Sequence, residues 1–384
     1  MYDRISLSAD RNEYSIGVFI DLSKAFDTLD HCILLKKLEY YGVRGTALDW
    51  FKSYLNNRSQ CVSLHGHNSS FTNITYGVPQ GSILGPLLFL LYINDLVHCS
   101  EYLSFILFAD DTNLFYSCGD IFNLIYTVNL ELSKVAEWFR ANKLSLNSKK
   151  TNFILFGNKH LPVLCLNLPI SIDGNLIEQV YYTKFFGVLV DAKLNWKKHI
   201  DYIALKISKG LGILGRVRNI LPLNCLIMLY HTLICPYLNY SNIVWGSASI
   251  TALSKLTSLQ NRAIRLITRS RFRSSCNPLY ARLNLLKVTD INKSLTIQFM
   301  FKVKYHLLPV SCMKHVTVSD FMRPYQTRYS NYFVVHCCRT VVRENSVNIR
   351  GPKLWNSLSS VFQKCLSLGE LKKDLVKMFC FIAL

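Results

Sequence analysis

No stretch of this 384-residue sequence is apolar over the roughly 18–20 residues needed to cross a bilayer. The nearest candidate, Ile83 to Ile93, is shorter and runs into Asn94 and Asp95, so it reads as a buried core helix and no membrane is expected as a partner. The opening MYDRISLSAD carries acids and no apolar core, and no secretory signal is expected from it. The 13 cysteines are odd in number and include no CxxC pair, a usage that points to reduced thiols rather than a disulfide framework. Cys337 and Cys338 adjoin, but without a second Cys/His pair at zinc spacing zinc is not expected. Short repeats and low-complexity linkers are missing too.

Acid is scarce in one half only. Residues 1–150 hold 13 Lys/Arg and 15 Asp/Glu, whereas residues 151–384 hold 31 and 9, which together give the net charge of +20. An acid-leaning half joined to a strongly basic one suggests two jobs, cation binding and polyanion binding. Nucleic acid is the polyanion that such a lopsided charge favours over a merely solubilising surface. A chain of this length buries a real core and suggests two or three domains.

The local patterns alternate between strand and helix in the first half. Gly17 to Asp21 (GVFID) reads as a strand ending in a carboxylate, and Asp30 is placed to cap a helix through Tyr41 that Gly42 stops. Thr46 and Asp49 resemble a capping box for TALDWFKSYL. Two strand-like runs, SQCVSLHG and FTNITYGV, lead into PQGS, where Ser82 is expected to cap the apolar helix with Pro86 in its first turn. Leu103–Phe108 and Asn113–Ser117 flank Asp110 and Asp111, the pattern of a hairpin with two acids at its tip. Ile121, Leu124, Ile125, Val128, Leu132, Val135 and Phe139 fall at helical spacing, and a basic loop then enters the strand of TNFILFG. Past residue 198 or so the strand signals thin out and the chain becomes helical and basic.

Asp21, Asp110 and Asp111 carry the chemistry. An isolated Asp–Asp pair is usually a solvated turn, but a carboxylate ending a buried strand is costly unless a cation or donor compensates it. Gathered together, three carboxylates suit Mg²⁺, which takes one or two carboxylate ligands and leaves positions for phosphates. Two such ions can clamp the attacking and leaving oxygens of an in-line phosphoryl displacement.

In order along the chain, VFIDLSKAFDTLDH, YGVPQGSILGPLLFLLYINDL and FADDT resemble motifs A, B and C of reverse transcriptases from non-LTR (LINE-type) retrotransposons, close to the jockey and CR1 types. NKLSLNSKKTNFILFG is similar to the family's motif D, and KFFGVLVDAKLNWKKHI to its motif E hairpin and the start of the thumb. LICPYLNYSNIVWG, LQNRAIRLIT and GPKLWNSLS resemble later family segments, so the likeness covers nearly the whole chain. It implies an α/β fold: a right-hand polymerase palm, an antiparallel sheet backed by helices, followed by an all-helical thumb and C-terminal region. The implied divisions are a palm with residual fingers at 1–184, a primer-grip hairpin at 185–198, a basic thumb at 199–270 and a helical region of unassigned role at 271–384.

The resemblance also implies roles. Asp21, Asp110 and Asp111 would be catalytic metal ligands for two Mg²⁺ ions, with Mn²⁺ an admissible substitute. Phe26 would exclude a 2′-hydroxyl and so select dNTPs, although by itself it reads as ordinary core. Gln80 and Gly81 would lie beside the incoming nucleotide, the glutamine otherwise serving as a helix cap. Lys150, in competition with neighbouring Lys149, would protonate or neutralise the leaving pyrophosphate. Phe185, Phe186 and Gly187 would grip the primer; the family more often has leucine where Phe186 stands. In the thumb, Ile200, Ile203, Ile207, Leu211, Leu214 and Val217 mark the buried face of a helix. Lys206, Lys209, Arg216 and Arg218 then offer cations to phosphates, unless that face is simply solvated.

The implied partners are an RNA template, a DNA primer and dNTPs, and the implied location is intracellular, nucleus or cytoplasm. Only twenty residues precede Asp21, too few for the family's fingers, and neither an upstream endonuclease nor a terminal Cys–His knuckle stands in the sequence. The chain is therefore expected to be a part of a longer element protein, binding duplex at low salt and extending a primer poorly by itself. Three readings compete: RNA-directed DNA polymerase, catalytically inactive nucleic-acid-binding remnant, and viral RNA-directed RNA polymerase. The last typically shows GDD rather than ADD and a polar group where Phe26 stands.

Overall fold

The computed structural model describes residues 1–157, 169–309 and 332–381. Parts of the region 271–384 thus lie outside the described residues. The chain divides into two compact units, Asn12–Tyr181 and Met1–Arg11 with Tyr182–Leu384. The division expected at 184/185 keeps the first eleven residues with the sheet, whereas compactness groups helix α1 (Tyr2–Asp10) with the later, helical part of the chain.

The Asn12–Tyr181 unit is built on a five-stranded sheet. Strand β1 (Tyr14–Ile20) begins three residues earlier than its pattern suggests, and Asp21 follows its last residue. Helix α2 (His31–Tyr40) starts where Asp30 accepts the Ile33 amide and ends before Gly42, whose φ of +95° only glycine adopts cheaply. Helix α3 (Thr46–Leu55) has no side-chain cap: Gly45 holds the cap position, Thr46 is already helical and Asp49 pairs with Lys52. The capping box expected at Thr46 and Asp49 is therefore not formed. β2 (Arg58–Gln60) pairs with β5 (Thr72–Ile74) around the small hairpin of β3 (Ser63–Leu64) and β4 (His67–Asn68).

Helix α4 (Leu84–Ile93) carries the apolar run and buries Leu88, Phe89, Tyr92 and Ile93, while β6 (Ser104–Phe108) and β7 (Asp111–Cys118) form the acidic hairpin. Helix α5 (Ile121–Ala141) then lays Leu124, Val128, Leu132, Val135 and Phe139 into the core at 1% exposure or less. Each such side chain contributes roughly 1.5–3 kcal/mol over exposure, which fixes the helix against the sheet. Strand β8 (Asn152–Phe156) pairs antiparallel with β1. After the two-stranded pair of β9 (Ser171–Ile172) and β10 (Asn175–Leu176), β11 (Glu178–Gln179) adds to β8 in parallel, completing the order β11-β8-β1-β7-β6.

The other unit opens its main segment with the hairpin of β12 (Tyr182–Phe185) and β13 (Val188–Asp191). From Lys197 onward its described elements are helices, beginning with α6 (Lys197–Val217) and including Ile250–Thr268, Val288–Lys304, Val347–Asn356 and Leu368–Phe381. Helix α1 is fastened here: Tyr2 donates to the Val342 carbonyl at 2.9 Å, and buried Arg343 donates to the Asp3 carbonyl at 3.1 Å. Among the described residues no helix is long and apolar enough to cross a membrane.

Candidate active site

Strand register brings the acids together. β1 pairs antiparallel with β7, Ile20 lying opposite Thr112, so Asp21 leaves β1 at the end where Asp111 opens β7. Asp110 sits in the two-residue turn with Ala109, whose φ of +50° lies in the left-handed region that such tight hairpin turns use. Asp21 is half-buried and Asp110 and Asp111 are exposed. Burial first, and then the negative charges of Asp110 and Asp21, push the Asp111 carboxyl above its usual value.

The three aspartates share one end of the sheet without forming a closed cage. Among the described residues, three ligand atoms within 4.8 Å of one another occur at Cys365, Glu370 and Asp374 instead. That trio contains a buried thiol whose pKa burial raises, a poor donor for a hard cation. The aspartates are different in kind: oxygen donors, accessible, and in mutual repulsion that a divalent cation relieves. Their chemistry fits Mg²⁺.

Asp21 is also tied to the loop before β8. Its amide donates to Thr151 Oγ1 at 3.3 Å, its carbonyl accepts the Asn147 amide at 2.9 Å, and its Oδ2 accepts from Asn147 Nδ2 at 3.0 Å. Lys150 Nζ lies 3.7 Å from the same Oδ2. A bridge between Leu22 and Leu146, with Ser23 N–H donating to the Ser145 carbonyl at 2.8 Å, extends the attachment. Lys150 is therefore brought to Asp21, whereas Lys149 forms no ion pair with the described residues.

The segments around Phe26 and Gln80 hold each other. Val78 N–H donates to the Phe26 carbonyl at 2.9 Å and Gly77 N–H to the Leu29 carbonyl at 2.8 Å. Gly77, at φ +81°, passes so close to Asp27 that an added Cβ would lie 2.7 Å from its carbonyl oxygen, so the approach requires glycine. Gln80 Nε2 donates to Asp27 Oδ1 at 2.8 Å, and Gly81, at φ +85°, faces open space. Ser82 Oγ accepts from the Gly85 amide at 3.0 Å, so the turn into α4 is capped by the serine and not by Gln80. Phe26 is half-buried with its ring 4.7 Å from that of Phe89. One face of it is core.

Phe186 and Gly187 form the turn between β12 and β13, both at positive φ (46° and 79°). Tyr240 Oη donates to the Phe186 carbonyl at 2.6 Å, and the Tyr240 ring lies 3.3 Å from where a Gly187 Cβ would stand. The Phe185 and Phe186 rings touch in a tilted arrangement, 4.1 Å between centroids. Asp191 then accepts the amides of Lys193, Asn195 and Trp196, turning the chain into α6. On α6, Ile200, Ile203, Ile207, Leu211 and Leu214 are buried and Val217 half-buried. Lys209, Arg216 and Arg218 are exposed, while Lys206 is half-buried with its ammonium 5.5 Å from the Tyr202 ring centre.

Sequence reasoning passed over Asn147, Thr151, Asp27 and Tyr240. The asparagine and threonine had a signal: turn-forming residues immediately before a strand, in a segment bearing the candidate lysine. Asp27 and Tyr240 had none, because their partners lie 53 and 54 residues away.

Residues 3–207 match the family model described as reverse transcriptase (RNA-dependent DNA polymerase). The chain is 30% identical over 306 residues to the probable RNA-directed DNA polymerase from transposon X-element of Drosophila melanogaster, covering 76% of this chain and 32% of that protein. It is 28% identical over 308 residues to the RNA-directed DNA polymerase from mobile element jockey of the same fly, covering 77% and 33%. The chain thus spans about a third of the length of these relatives. A telomerase structure from Candida albicans aligns over 73% of this chain and 51% of its own at 13% identity and a TM-score of 0.34, too slight a likeness to build on.

Proposed function

Because this chain belongs to the reverse transcriptase (RNA-dependent DNA polymerase) family, we propose that it is the polymerase portion of a non-LTR retrotransposon protein. It would join dNTPs to a DNA primer 3′-hydroxyl on an RNA template. The observation that carries this reading is the convergence of Asp21, Asp110 and Asp111 at one end of the antiparallel strands β1, β7 and β6, in the family's motif order. Asp21, Asp110 and Asp111 would hold two Mg²⁺ ions, or Mn²⁺ in their place, which stabilise charge on the attacking and leaving oxygens.

The chain's own groups supply the rest. Phe26, braced on Phe89, would present its remaining face where a ribose 2′-hydroxyl would clash, so that selection works by exclusion. Gln80, held by Asp27, and the open backbone at Gly81 would border the nucleotide. Lys150, already beside the metal-binding aspartate, would hold a proton for the departing pyrophosphate. The turn Phe185–Phe186–Gly187 would grip the primer, and Lys206, Lys209, Arg216 and Arg218 would neutralise duplex phosphates.

The test is template-directed dNTP incorporation on an RNA–DNA primer–template with Mg²⁺. The chain is assayed alone and joined in frame to the upstream portion of a jockey-type relative. Asp110→Asn should abolish incorporation and leave duplex binding in place. Incorporation within about tenfold of the parent would refute the assignment, since loss of a ligand removes several kcal/mol of transition-state stabilisation. Duplex binding with no incorporation in either form would favour the inactive remnant.

A further inference from the structure

The attachment of Asp21 to the loop 147–151 is closer than holding a strand end requires. Three separate atoms of one residue are engaged: its amide by Thr151 Oγ1, its carbonyl by the Asn147 amide and its carboxylate by Asn147 Nδ2. Thr151 Oγ1 in turn donates to the Asn147 carbonyl at 2.9 Å, and the amides of Lys150 and Thr151 donate to that carbonyl too. The loop is thus a closed turn that sends the Asn147 backbone amide to the Asp21 carbonyl and the Asn147 side-chain amide to its carboxylate.

A carboxylate at a strand end is free to rotate about its last bond, and a hydrogen bond to one oxygen stops that rotation. Here the bond takes Oδ2, and Oδ1 accepts no hydrogen bond from the described residues. A carboxylate that accepts one hydrogen bond from a neutral amide keeps its negative charge and gains a fixed direction. Second-layer donors of this kind typically set ligand affinity by about tenfold or more. The same turn carries Lys150, so the ammonium and the oriented carboxylate are mounted on one piece.

We propose that Asn147 is a positioning residue of the metal centre: it aims the Asp21 carboxylate toward Asp110 and Asp111 and sets the cation affinity of the three. This rests on the function proposed above, in that it takes the aspartates to be cation ligands. Hydrogen bonding to the backbone alone would predict a purely structural role, in which replacing the side chain lowers stability and leaves affinity untouched.

The experiment is titration of the 384-residue chain with Mn²⁺ alone, read by the loss of the free-ion electron paramagnetic resonance signal. Wild type, Asn147→Ala, Asn147→Ser and Asp110→Asn are compared, with thermal unfolding followed in parallel. Asn147→Ser keeps a turn-forming residue but shortens the donor, and serves where the alanine variant fails to fold. Both Asn147 variants are expected to bind Mn²⁺ about tenfold more weakly than wild type, with melting close to wild type. Binding as tight as wild type in a folded Asn147 variant, while Asp110→Asn has lost binding, would overturn the positioning role and spare the metal centre. Equal binding by wild type and Asp110→Asn would overturn both.

Discussion

The candidate residues for chemistry in one compact unit and those for phosphate binding in the other stand on different kinds of structure. In residues 12–181 every one of them sits outside the regular elements' interiors: Asp21 just past a strand, Phe26 in a short 3-10 turn, Gln80 and Gly81 in a glycine-bearing loop, Asp110 in a hairpin turn, Lys150 in a closed turn. Asp21 and Phe26 are held by backbone bonds to distant segments, Gln80 by its side chain on Asp27, and Asp110 and Lys150 by the tight turns that carry them. In the other unit the turn at Phe186 and Gly187 is likewise pinned, by Tyr240, but the candidate phosphate-binding residues Lys206, Lys209 and Arg216 project from one regular helix seated on its apolar face. Chemistry that must position reacting atoms needs pinned loops, since a misplacement of about 1 Å can cost on the order of a hundredfold. A grip on a phosphate backbone needs only cations at roughly the right spacing. The uneven charge of the sequence follows the same division.

The largest expected effect sharpens that contrast at the pinned end. Asp21→Asn should lower the incorporation rate by at least about a thousandfold while duplex affinity stays within about twofold. Single-turnover kinetics beside equilibrium binding measures both.

Acid should separate the units in order. His199, buried and accepting the Leu189 amide on Nδ1, has its pKa pushed down by burial to about 4. The unfolded chain therefore takes up the proton first, and the helical unit loses about 3 kcal/mol as pH falls from 6.5 to 4. In the sheet unit, the Lys143 ammonium hydrogen-bonded to Asp30 holds that carboxyl below its usual 3.8. Its contribution is present above 3.8 and is lost only as pH falls through the depressed value. Hydrogen exchange between pH 7 and 4 should show protection falling first in residues 182–304, and not at all through this route in His199→Gln.

Phe26→Val should reduce the ratio of dNTP to rNTP incorporation by at least about tenfold, since the proposed gate excludes by bulk. An active variant with the ratio unmoved would leave Phe26 as core against Phe89. The smallest effect belongs to the helix surface: Lys209→Ala should make the salt dependence of duplex binding shallower by about 0.9 in log–log slope, one phosphate contact. An unchanged slope would place that lysine on a solvated face.

What could be read from the sequence followed the same line. Period-3.6 spacing gave α5 almost residue for residue, because its stripe is unbroken and its cap, Asp120, is a standard one. Strand β1 and the acidic hairpin were legible because each strand is a short apolar run that stops at an acidic turn. α3 was misjudged at its start, where Gly45 holds the cap position expected of Thr46 and no local pattern distinguishes the two. The later helices were legible only as helices. Gln260 shows why: fully buried, it donates to Tyr230 Oη and the Leu286 carbonyl and accepts the Val288 amide, partners 26 to 30 residues away. A polar residue in an apolar stripe becomes core only through tertiary contacts that spacing does not encode. The docking of α1 on Val342 and Arg343 is more distant still.

The division of labour itself is the central claim, and paired variants test it most directly. Incorporation from saturating primer–template and duplex affinity between about 50 and 200 mM salt are measured on Asp110→Asn and on the Lys206/Lys209/Arg216/Arg218→Ala variant. The first is predicted to lose incorporation and keep its affinity and salt slope. The second is predicted to keep incorporation once duplex is saturating, yet to bind more weakly with a flatter slope. Loss of both properties in each variant would contradict the account, and would mean that cation binding and duplex binding are one site.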